Sequence, residues 1–145
     1  MPSDPACEFC RIVGGATRSY LVLEDDISVG FLDHRPLFRG HCLLVPRDHV
    51  TTLVDLPAAL IGSLFANAQL LARAMEAGLH AQGSFVAINN RISQSVPHLH
   101  VHVVPRRKGD GLRGFFWPRQ RYQGDEEMRR IQALVHDAVE AARHL

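Results

Sequence analysis

The sequence has no long apolar run and no excess of charge of either sign. No stretch predicts a membrane-spanning helix, and the opening residues, MPSDPACEFC, lack the basic start and apolar core of a secretory signal. Lys and Arg number 16 against 15 Asp and Glu, a formal net charge of +1, so no basic excess points to nucleic acid as the main partner. We therefore expect a cytoplasmic protein that binds neither a membrane nor nucleic acid.

Cysteine is also scarce. The three cysteines are Cys7, Cys10 and Cys42, and a small, odd number argues against a disulfide framework. Cys7 and Cys10 form a C-x-x-C, which is typical of metal ligands or a redox pair and also fits two small core residues. The redox interpretation expects a strand–helix–strand context, which the surrounding sequence lacks. Cys42 lies between apolar residues and is expected in the core.

No repeat, linker or low-complexity segment divides the chain, and its 46% hydrophobic content suffices for one domain over residues 1–145. Short β-type runs bounded by turn residues predict five strands, the first two joined by a tight turn at Asp26. Strands connected mostly by short turns, with a long helix between them and a C-terminal helix, indicate an α+β fold with a mostly antiparallel five-stranded sheet. The predicted strands span residues 20–25, 27–33, 41–46, 84–89 and 98–105.

Two helices are predicted from apolar periodicity. The first runs from a cap at Asp55 to about Ala77 and is ended by Gly78. Its buried stripe is predicted to contain Leu60, Leu64, Leu71 and Met75. Residues 107–145 are predicted as a glycine-punctuated loop with aromatic residues, followed by a helix capped by Asp125. The buried face predicted for that helix consists of Met128, Ile131, Leu134, Val135 and Val139.

The segment VPHLHVHVVPRR, residues 96–107, has a histidine at every second position. Because alternate residues of a strand share a face, His98, His100 and His102 would line one face and the intervening aliphatic residues the other. Three histidines in register fit a plain surface strand poorly. They fit an H-x-H ligand pair for a catalytic metal, or a nucleophilic imidazole served by its neighbours. No Asp or Glu lies between Arg91 and Arg107, which favours an anionic substrate over a metal-hydrolase site.

Three segments resemble one family. QSVPHLHVHVVPR resembles the defining motif of the histidine triad (HIT) superfamily, CEFCRI its N-terminal C-x-F-C-x-I, and VGFLDHRPLFRGHCLLVPRDHV its segment ending in G-H-x-L-[VI]-x-P-[KR]-x-H. The resemblance runs from about Cys7 to Arg106. Past Trp117 it extends only to a tail containing tryptophan.

The resemblance implies a HIT-like fold and an enzyme that needs no organic cofactor. Family members hydrolyse or transfer nucleoside monophosphates through a covalent nucleotidyl-histidine. His100 matches the nucleophile, which would attack the α-phosphorus of an adenine-type nucleotide and finally release AMP. His102 matches the histidine that binds phosphate or leaving-group oxygens, His98 the first histidine of the triad, and His41 the additional histidine that completes the site.

The resemblance also implies a purine nucleotide pocket. Asp33 matches the acid that binds the ribose hydroxyls, although by itself it would be interpreted as a turn residue. Phe9, Ile12 and Phe31 match the apolar clamp on the base, whereas Asn89, Gln94 and Ser95 match the residues near the phosphates and leaving group. The loop NNRISQ departs from the family because it is about two residues shorter than usual and lacks glycine, which brings Arg91 toward the phosphates. His34 follows Asp33 where apolar residues are common.

The C-x-x-C gains a specific interpretation from the resemblance. Cys7, Cys10, His49 and His98 match the four ligands of a structural zinc in many bacterial relatives, which makes residues 1–15 an N-terminal metal-binding segment. Relatives commonly form homodimers through the long helix and a strand edge.

Several alternatives remain open at this point. The leaving group is an amine of a nucleoside phosphoramidate or part of a dinucleoside polyphosphate. A nucleotide-binding regulatory module with little turnover is a second class of function, and a metalloenzyme with the triplet as ligands is a third.

Overall fold

A computed structural model describes residues 3–113 and 119–144. The predicted aromatic loop residues Phe115, Phe116 and Trp117 lie outside the described residues. The chain divides into two compact units, Met1–Asp110 and Gly111–Leu145. The prediction of one domain over residues 1–145 therefore stays a prediction.

The first unit contains a five-stranded sheet in the order β1-β2-β3-β5-β4, and every neighbouring pair is antiparallel. This confirms the predicted α+β class and the mostly antiparallel sheet. The elements in chain order are α1 (Glu8–Val13), β1 (Leu21–Glu24), β2 (Ser28–Leu32), β3 (Cys42–Pro46), a 3-10 turn (Leu53–Asp55), α2 (Ala58–Leu79), β4 (Gly83–Ala87) and β5 (Val101–Arg106).

Both faces of the sheet are covered. Helix α2 packs against β3, β4 and β5, and its buried stripe forms one core with the side chains of β3 and β5 that alternate toward it. The short α1 covers the other face and forms a second apolar cluster with β2 and β3. The first core includes Leu44, Leu64, Ala68, Leu71, Met75, Leu99, Val101 and Val103. The second includes Cys7, Phe9, Cys10, Ile12, Val29, Phe31, Leu43 and Val45.

Helix α2 is long and apolar enough to cross a membrane by length and composition alone, contrary to the sequence expectation that no segment is. Its predicted stripe is confirmed, because Leu64, Leu71 and Met75 are buried and Leu60 is partly buried against the same core. A helix that contributes this stripe to a sheet core passes the same composition test without spanning a membrane. Four other apolar residues of α2 are exposed: Ile61, Phe65, Leu70 and Leu79.

The predicted ends of the long helix are wrong in detail. The carboxylate of Asp55 accepts hydrogen bonds from the backbone N–H and hydroxyl of Thr52, at 3.1 and 2.7 Å, and so closes the 3-10 turn. Pro57 then separates this turn from α2. At the other end α2 continues past Gly78 to Leu79, because His80 takes the left-handed conformation, with φ 56°, that terminates it.

The second unit contains α3, Asp125–Ala142, which confirms the C-terminal helix. Asp125 begins the helix rather than capping it, and Gly124 occupies the cap position. The predicted burial of one face is wrong, since Met128, Leu134, Val135 and Val139 are exposed and Ile131 is only half-buried. Amphipathic spacing predicts which side of a helix is apolar, but it does not supply a partner for that side.

Candidate functional site

The three histidines of the triplet begin outside the regular strand. β5 starts at Val101, so His98 and His100 precede it, yet the predicted alternation continues through them. Leu99 lies in the core beneath α2 and donates its backbone N–H to the carbonyl of Val50 at 2.6 Å. His98 and His100 are buried on the opposite face. The alternation of faces predicted from the sequence is therefore present, although the strand is shorter than predicted.

His100 is held in one tautomer by its own backbone neighbourhood. Its Nδ1 lies 2.8 Å from the carbonyl oxygen of His98. A carbonyl oxygen only accepts, so Nδ1 carries the hydrogen and Nε2 keeps its lone pair. The ring of Phe9 meets the His100 ring edge-on, with centroids 5.1 Å apart. A neutral imidazole with an available Nε2 lone pair is the form that a nucleophile requires.

His41 and His102 form a hydrogen-bonded pair beside His100. The backbone N–H of Leu37 donates to His41 Nδ1 at 3.1 Å, which leaves the hydrogen of His41 on Nε2. That Nε2 lies 3.0 Å from His102 Nδ1 and donates to it. His102 consequently carries its hydrogen on Nε2, and this buried nitrogen has no hydrogen-bond partner within the described part of the chain. An unpartnered buried N–H is available to an oxygen of a bound ligand.

A loop between β2 and β3 brings Asp33 to the same pair. Its ends are joined because the backbone N–H of Asp33 donates to the carbonyl of His41 at 2.9 Å. Asp33 Oδ2 lies 3.6 Å from His41 Nε2, and Asp33 Oδ1 accepts the N–H of Arg35 at 2.9 Å. Gly40, with φ 98°, precedes His41, and a Cβ there would clash with the side chain of Leu79. The loop therefore needs glycine to present His41.

Burial keeps the pair uncharged. It lowers the pKa of His102 to about 4, with help from the neighbouring His100 and His41, while Asp33 opposes the shift. Burial also lowers the pKa of His41, again against the attraction of Asp33. Neutral His102 thus offers an N–H donor rather than a positive charge at neutral pH.

The predicted base clamp is assembled as one apolar group. Phe9, Ile12 and Phe31 are buried in the cluster between α1 and the sheet. The rings of Phe9 and Phe31 meet edge-on with centroids 5.4 Å apart. Since Phe9 also contacts His100, the clamp lies directly beside the imidazole with the free Nε2.

The short loop before the triplet is held by amide side chains. Gln94 accepts from the backbone N–H of Arg91 at 2.8 Å and donates to the carbonyl of Thr51 at 2.7 Å, so both ends of its amide are engaged within the fold. Asn90, which the sequence did not single out, accepts from the N–H of Leu53 at 2.8 Å. Asn89 and Ser95, the other residues predicted near the phosphates, are exposed.

The missing glycines of this loop have a conformational cost. Arg91 and Ser93 adopt left-handed backbone conformations, with φ 68° and 60°, where a residue with a Cβ is strained by roughly 1–2 kcal/mol. The contacts of Gln94 and Asn90 are local and could hold this conformation. The left-handed conformations of Arg91 and Ser93 are therefore a feature of this loop, whereas its difference from the loops of relatives stays a prediction.

The predicted metal ligands converge. The four donor atoms of Cys7, Cys10, His49 and His98 lie within 4.8 Å of one another. His98 Nδ1 is 3.4 Å from Cys7 Sγ and 3.5 Å from Cys10 Sγ, and His49 Nδ1 is 3.3 Å from Cys10 Sγ. Ligand bonds of about 2.3 Å to sulfur and about 2.0 Å to nitrogen in a tetrahedron put S and N roughly 3.5 Å apart. The spacing thus fits zinc.

The hydrogen bonding of His98 also fits a metal. Its Nε2 donates to the carbonyl of Pro46 at 2.9 Å, which leaves the Nδ1 lone pair facing the two thiols. Burial raises the pKa of the Cys10 thiol, and the adjacent Cys7 thiol raises it further. A divalent cation among these donors would favour the thiolates instead.

Asp33, His41 and His102 form a second group with metal-ligand spacing, but their hydrogen bonds oppose a metal. His41 Nε2 carries a hydrogen because Leu37 donates to Nδ1, so it has no lone pair for a cation. His100 belongs to neither group of the described residues. The triplet therefore does not converge on one ion, which opposes the metalloenzyme alternative.

A comparison with family models matches residues 15–109 to the HIT domain. The chain belongs to the HIT family. This confirms the family resemblance of the sequence, and the match covers both the β2–β3 loop with His41 and the triplet.

Several HIT relatives are similar over most of the chain. An uncharacterised HIT-like protein of Mycobacterium tuberculosis is 38% identical over 108 residues, 73% of this chain and 75% of the relative. The adenosine 5'-monophosphoramidase of Saccharomyces cerevisiae is 32% identical over 124 residues, 85% of this chain and 77% of the relative. The adenylylsulfatase of Arabidopsis thaliana is 30% identical over 108 residues, 73% of this chain and 55% of the relative. HIT relatives are thus named as hydrolases.

Solved structures agree with the fold. A Streptococcus mutans protein superposes with a TM-score of 0.82 at 32% identity, covering 97% of this chain and 87% of its own. A zinc-bound histidine triad family protein of Mycobacterium smegmatis superposes with a TM-score of 0.71 at 38% identity, covering 94% of this chain and 97% of its own. These matches confirm the HIT-like fold.

Buried neutral His102 makes stability depend on pH. Its pKa is about 4 in the folded chain against the ordinary 6.5, so between these values the unfolded chain binds more protons. The free energy of unfolding should therefore fall as the pH falls from about 6.5 to about 4.

His102→Asn should make this fall shallower in urea denaturation across that range. The control His80→Asn, at an exposed left-handed position that asparagine tolerates, should keep the wild-type slope. Equal slopes in His102→Asn and wild type would contradict the prediction.

Proposed function

We propose that this HIT protein is a nucleotide hydrolase or transferase that acts at the α-phosphate of adenine-type nucleotides through a covalent nucleotidyl-His100. The observation that carries the proposal is the hydrogen bond that fixes His100 Nδ1–H on the His98 carbonyl. Nε2 attacks the phosphorus, the bond to the leaving group breaks, and its electron pair stays with the leaving group. Water then attacks the same phosphorus and gives up one proton, which balances the proton taken up by the departed leaving group. The P–N bond breaks with its electron pair returning to Nε2, and AMP is released.

The other site residues have assigned roles in this proposal. The unpartnered Nε2–H of His102 donates to a non-bridging or leaving-group oxygen, where charge develops. His41 fixes the tautomer of His102, and His98 fixes that of His100. Asp33 keeps acceptor capacity for the ribose hydroxyls beside its contact with Arg35.

The nucleotide pocket is assigned on the same basis. Phe9, Ile12 and Phe31 contact the purine, and their position beside His100 supports this. Ser95 and Asn89 are exposed near the triplet and bind phosphate or leaving group, whereas Gln94 acts through the loop that it holds.

The leaving group is proposed as the amine of a phosphoramidate or part of a dinucleoside polyphosphate. The yeast relative is named a monophosphoramidase and the Arabidopsis relative an adenylylsulfatase, names that share the adenosine phosphoryl group and differ in the leaving group.

His100→Asn removes the nucleophile and should lower turnover of adenosine phosphoramidate or diadenosine polyphosphates by at least about a thousandfold. His102→Ala should retain His100 but hydrolyse the intermediate slowly. Intact-protein mass spectrometry of His102→Ala with these substrates should then show an added adenylyl group that maps to His100.

His80→Asn serves as the control and should keep wild-type turnover, because His80 is exposed at the end of α2. Wild-type turnover by His100→Asn would refute the mechanism. Tight AMP binding without turnover or adduct would establish the alternative, a nucleotide-binding regulatory module.

We further propose that Cys7, Cys10, His49 and His98 hold a structural zinc. The donor spacing and the free lone pair of His98 Nδ1 support this, as does the zinc-bound relative from Mycobacterium smegmatis. Zinc there would tie α1 to the sheet, and His100 remains outside the ligand set.

The zinc site is tested by two cysteine substitutions. Wild-type protein dialysed against metal-free buffer should retain about one zinc per chain. Cys10→Ser, which removes one ligand, should lose most of it by elemental analysis. Cys42→Ser should retain it, because Cys42 lies in the core beneath α2 and outside the ligand group. Equal zinc content in the two variants would refute the assignment.

The protein is also proposed to form a homodimer. The outer side of α2 exposes Ile61 and Phe65, and β4, an edge strand of the sheet, exposes Val86. These apolar groups support an interface through the helix and the strand edge. The single domain, the cytoplasmic location and the absence of an organic cofactor stay predictions.

The dimer is tested in solution by light scattering after gel filtration. Wild-type protein should have twice the 16.2 kDa mass of one chain. Phe65→Glu places a charge in the proposed interface and should yield a monomer. Val54→Glu replaces an apolar residue that is 84% exposed outside α2, and should remain dimeric. A monomeric wild-type protein would refute the proposal.

A further inference from the structure

Residues 4–17 are tied to the rest of the described chain by few polar contacts. The backbone hydrogen bonds of these residues are made within the segment. The first joins the N–H of Cys7 to the carbonyl of Asp4, and the last joins the N–H of Thr17 to the carbonyl of Arg11. The guanidinium of Arg11 likewise donates to carbonyls of the same segment. The recorded polar contacts that leave it run from Cys7 and Cys10 to His49 and His98. Polar anchoring of α1 thus coincides with the metal group.

Helix α1 is too short to be stable without contacts to the rest of the chain. It has 6 residues, far fewer than the roughly 12–15 that an isolated helix needs to be even marginally stable in water. Its placement therefore depends on the apolar cluster and on the two cysteines. Phe9 lies between these cysteines in sequence, and its ring contacts His100 and Phe31. Whatever fixes Cys7 and Cys10 also fixes the proposed base clamp.

A second connection passes through His98. One ring nitrogen faces the thiols, the other donates to Pro46, and the backbone carbonyl of the same residue accepts from His100 Nδ1. A displacement of His98 that moves its backbone carbonyl would therefore change the orientation of the His100 ring. Two independent routes, through Phe9 and through His98, join the metal group to the nucleotide site.

We propose that the metal held by Cys7, Cys10, His49 and His98 organises the nucleotide site, so that metal binding and nucleotide binding strengthen each other. The proposal rests on the proposed function, since it requires AMP to bind beside Phe9 and His100. Coupling between two sites is reciprocal: the factor by which zinc raises AMP affinity equals the factor by which AMP raises zinc affinity. Couplings of this kind span about 5–150-fold, and we expect about tenfold here.

Calorimetric titration of AMP into zinc-loaded and metal-free protein provides the first test. AMP should bind the zinc-loaded form about tenfold more tightly, and competition with a zinc chelator should show the same factor for zinc with and without AMP. Absence of AMP binding to zinc-loaded protein would overturn the proposed function together with the coupling. AMP binding with equal Kd in both folded forms would overturn the coupling alone.

Cobalt-loaded protein provides a test that needs no metal-free form. The visible absorption bands of tetrahedral Co²⁺ respond to ligand geometry, so AMP should shift them along a saturation curve that matches its Kd. A metal ion that stabilises the fold without coupling to the nucleotide site would keep the same absorption bands when AMP binds. Unchanged bands at AMP saturation would therefore overturn the proposal.

Two matched substitutions separate the route through Phe9 from general effects. Phe9→Leu should lower the coupling factor clearly below that of the wild type, because it removes the ring that contacts His100 and leaves only the route through His98. Phe65→Leu, the same change on the exposed side of α2, should leave the factor at about tenfold. A full coupling factor in Phe9→Leu would overturn the role of Phe9.

Discussion

The hydrogen bond from His100 Nδ1 to the His98 carbonyl determines which nitrogen of His100 is available to a substrate. If Nε2 carried the hydrogen instead, the ring would present a donor and could not attack phosphorus. The bond is available because His98 precedes β5, which begins at Val101, so its carbonyl is not required by the strand ladder. The start of β5 after His100 is thus a condition for the proposed chemistry.

A hydrogen bond to a backbone group fixes the tautomer of three histidines, and the outcome differs among them. Backbone groups fix His98 through Pro46, His100 through His98, and His41 through Leu37. His98 then offers a lone pair at Nδ1, whereas His100 offers one at Nε2. His41 offers an N–H, which fixes His102 in turn. One residue type therefore offers a lone pair to the proposed metal, a lone pair to the proposed phosphorus centre and an N–H donor, and backbone contacts distinguish these three roles.

Periodicity in the sequence was sufficient for the sheet, the stripe of α2 and the alternation around the triplet, because burial on a pleated or helical surface has a fixed repeat. It was insufficient where one residue competes with another for the same role. Asp55 bonds to Thr52 instead of capping α2, and the helix ends at the left-handed His80 rather than at Gly78. The exposed face of α3 shows that an apolar pattern identifies one side of a helix but does not indicate what packs against that side.

The residues that hold the site are harder to predict than the residues that form it. The alternation in the sequence supplied the triplet, and the resemblance supplied Asp33 and His41. The N–H of Leu37 and the carbonyl of Pro46, however, are backbone groups, and nearly every residue has both. No side-chain pattern marks them. Gln94 accepts from the N–H of Arg91 beside two residues in left-handed conformations, Arg91 and Ser93, and only the folded backbone shows these conformations. Tautomers follow from these contacts, so the chemical identity of each histidine is a property of the fold and not of the H-x-H-x-H motif.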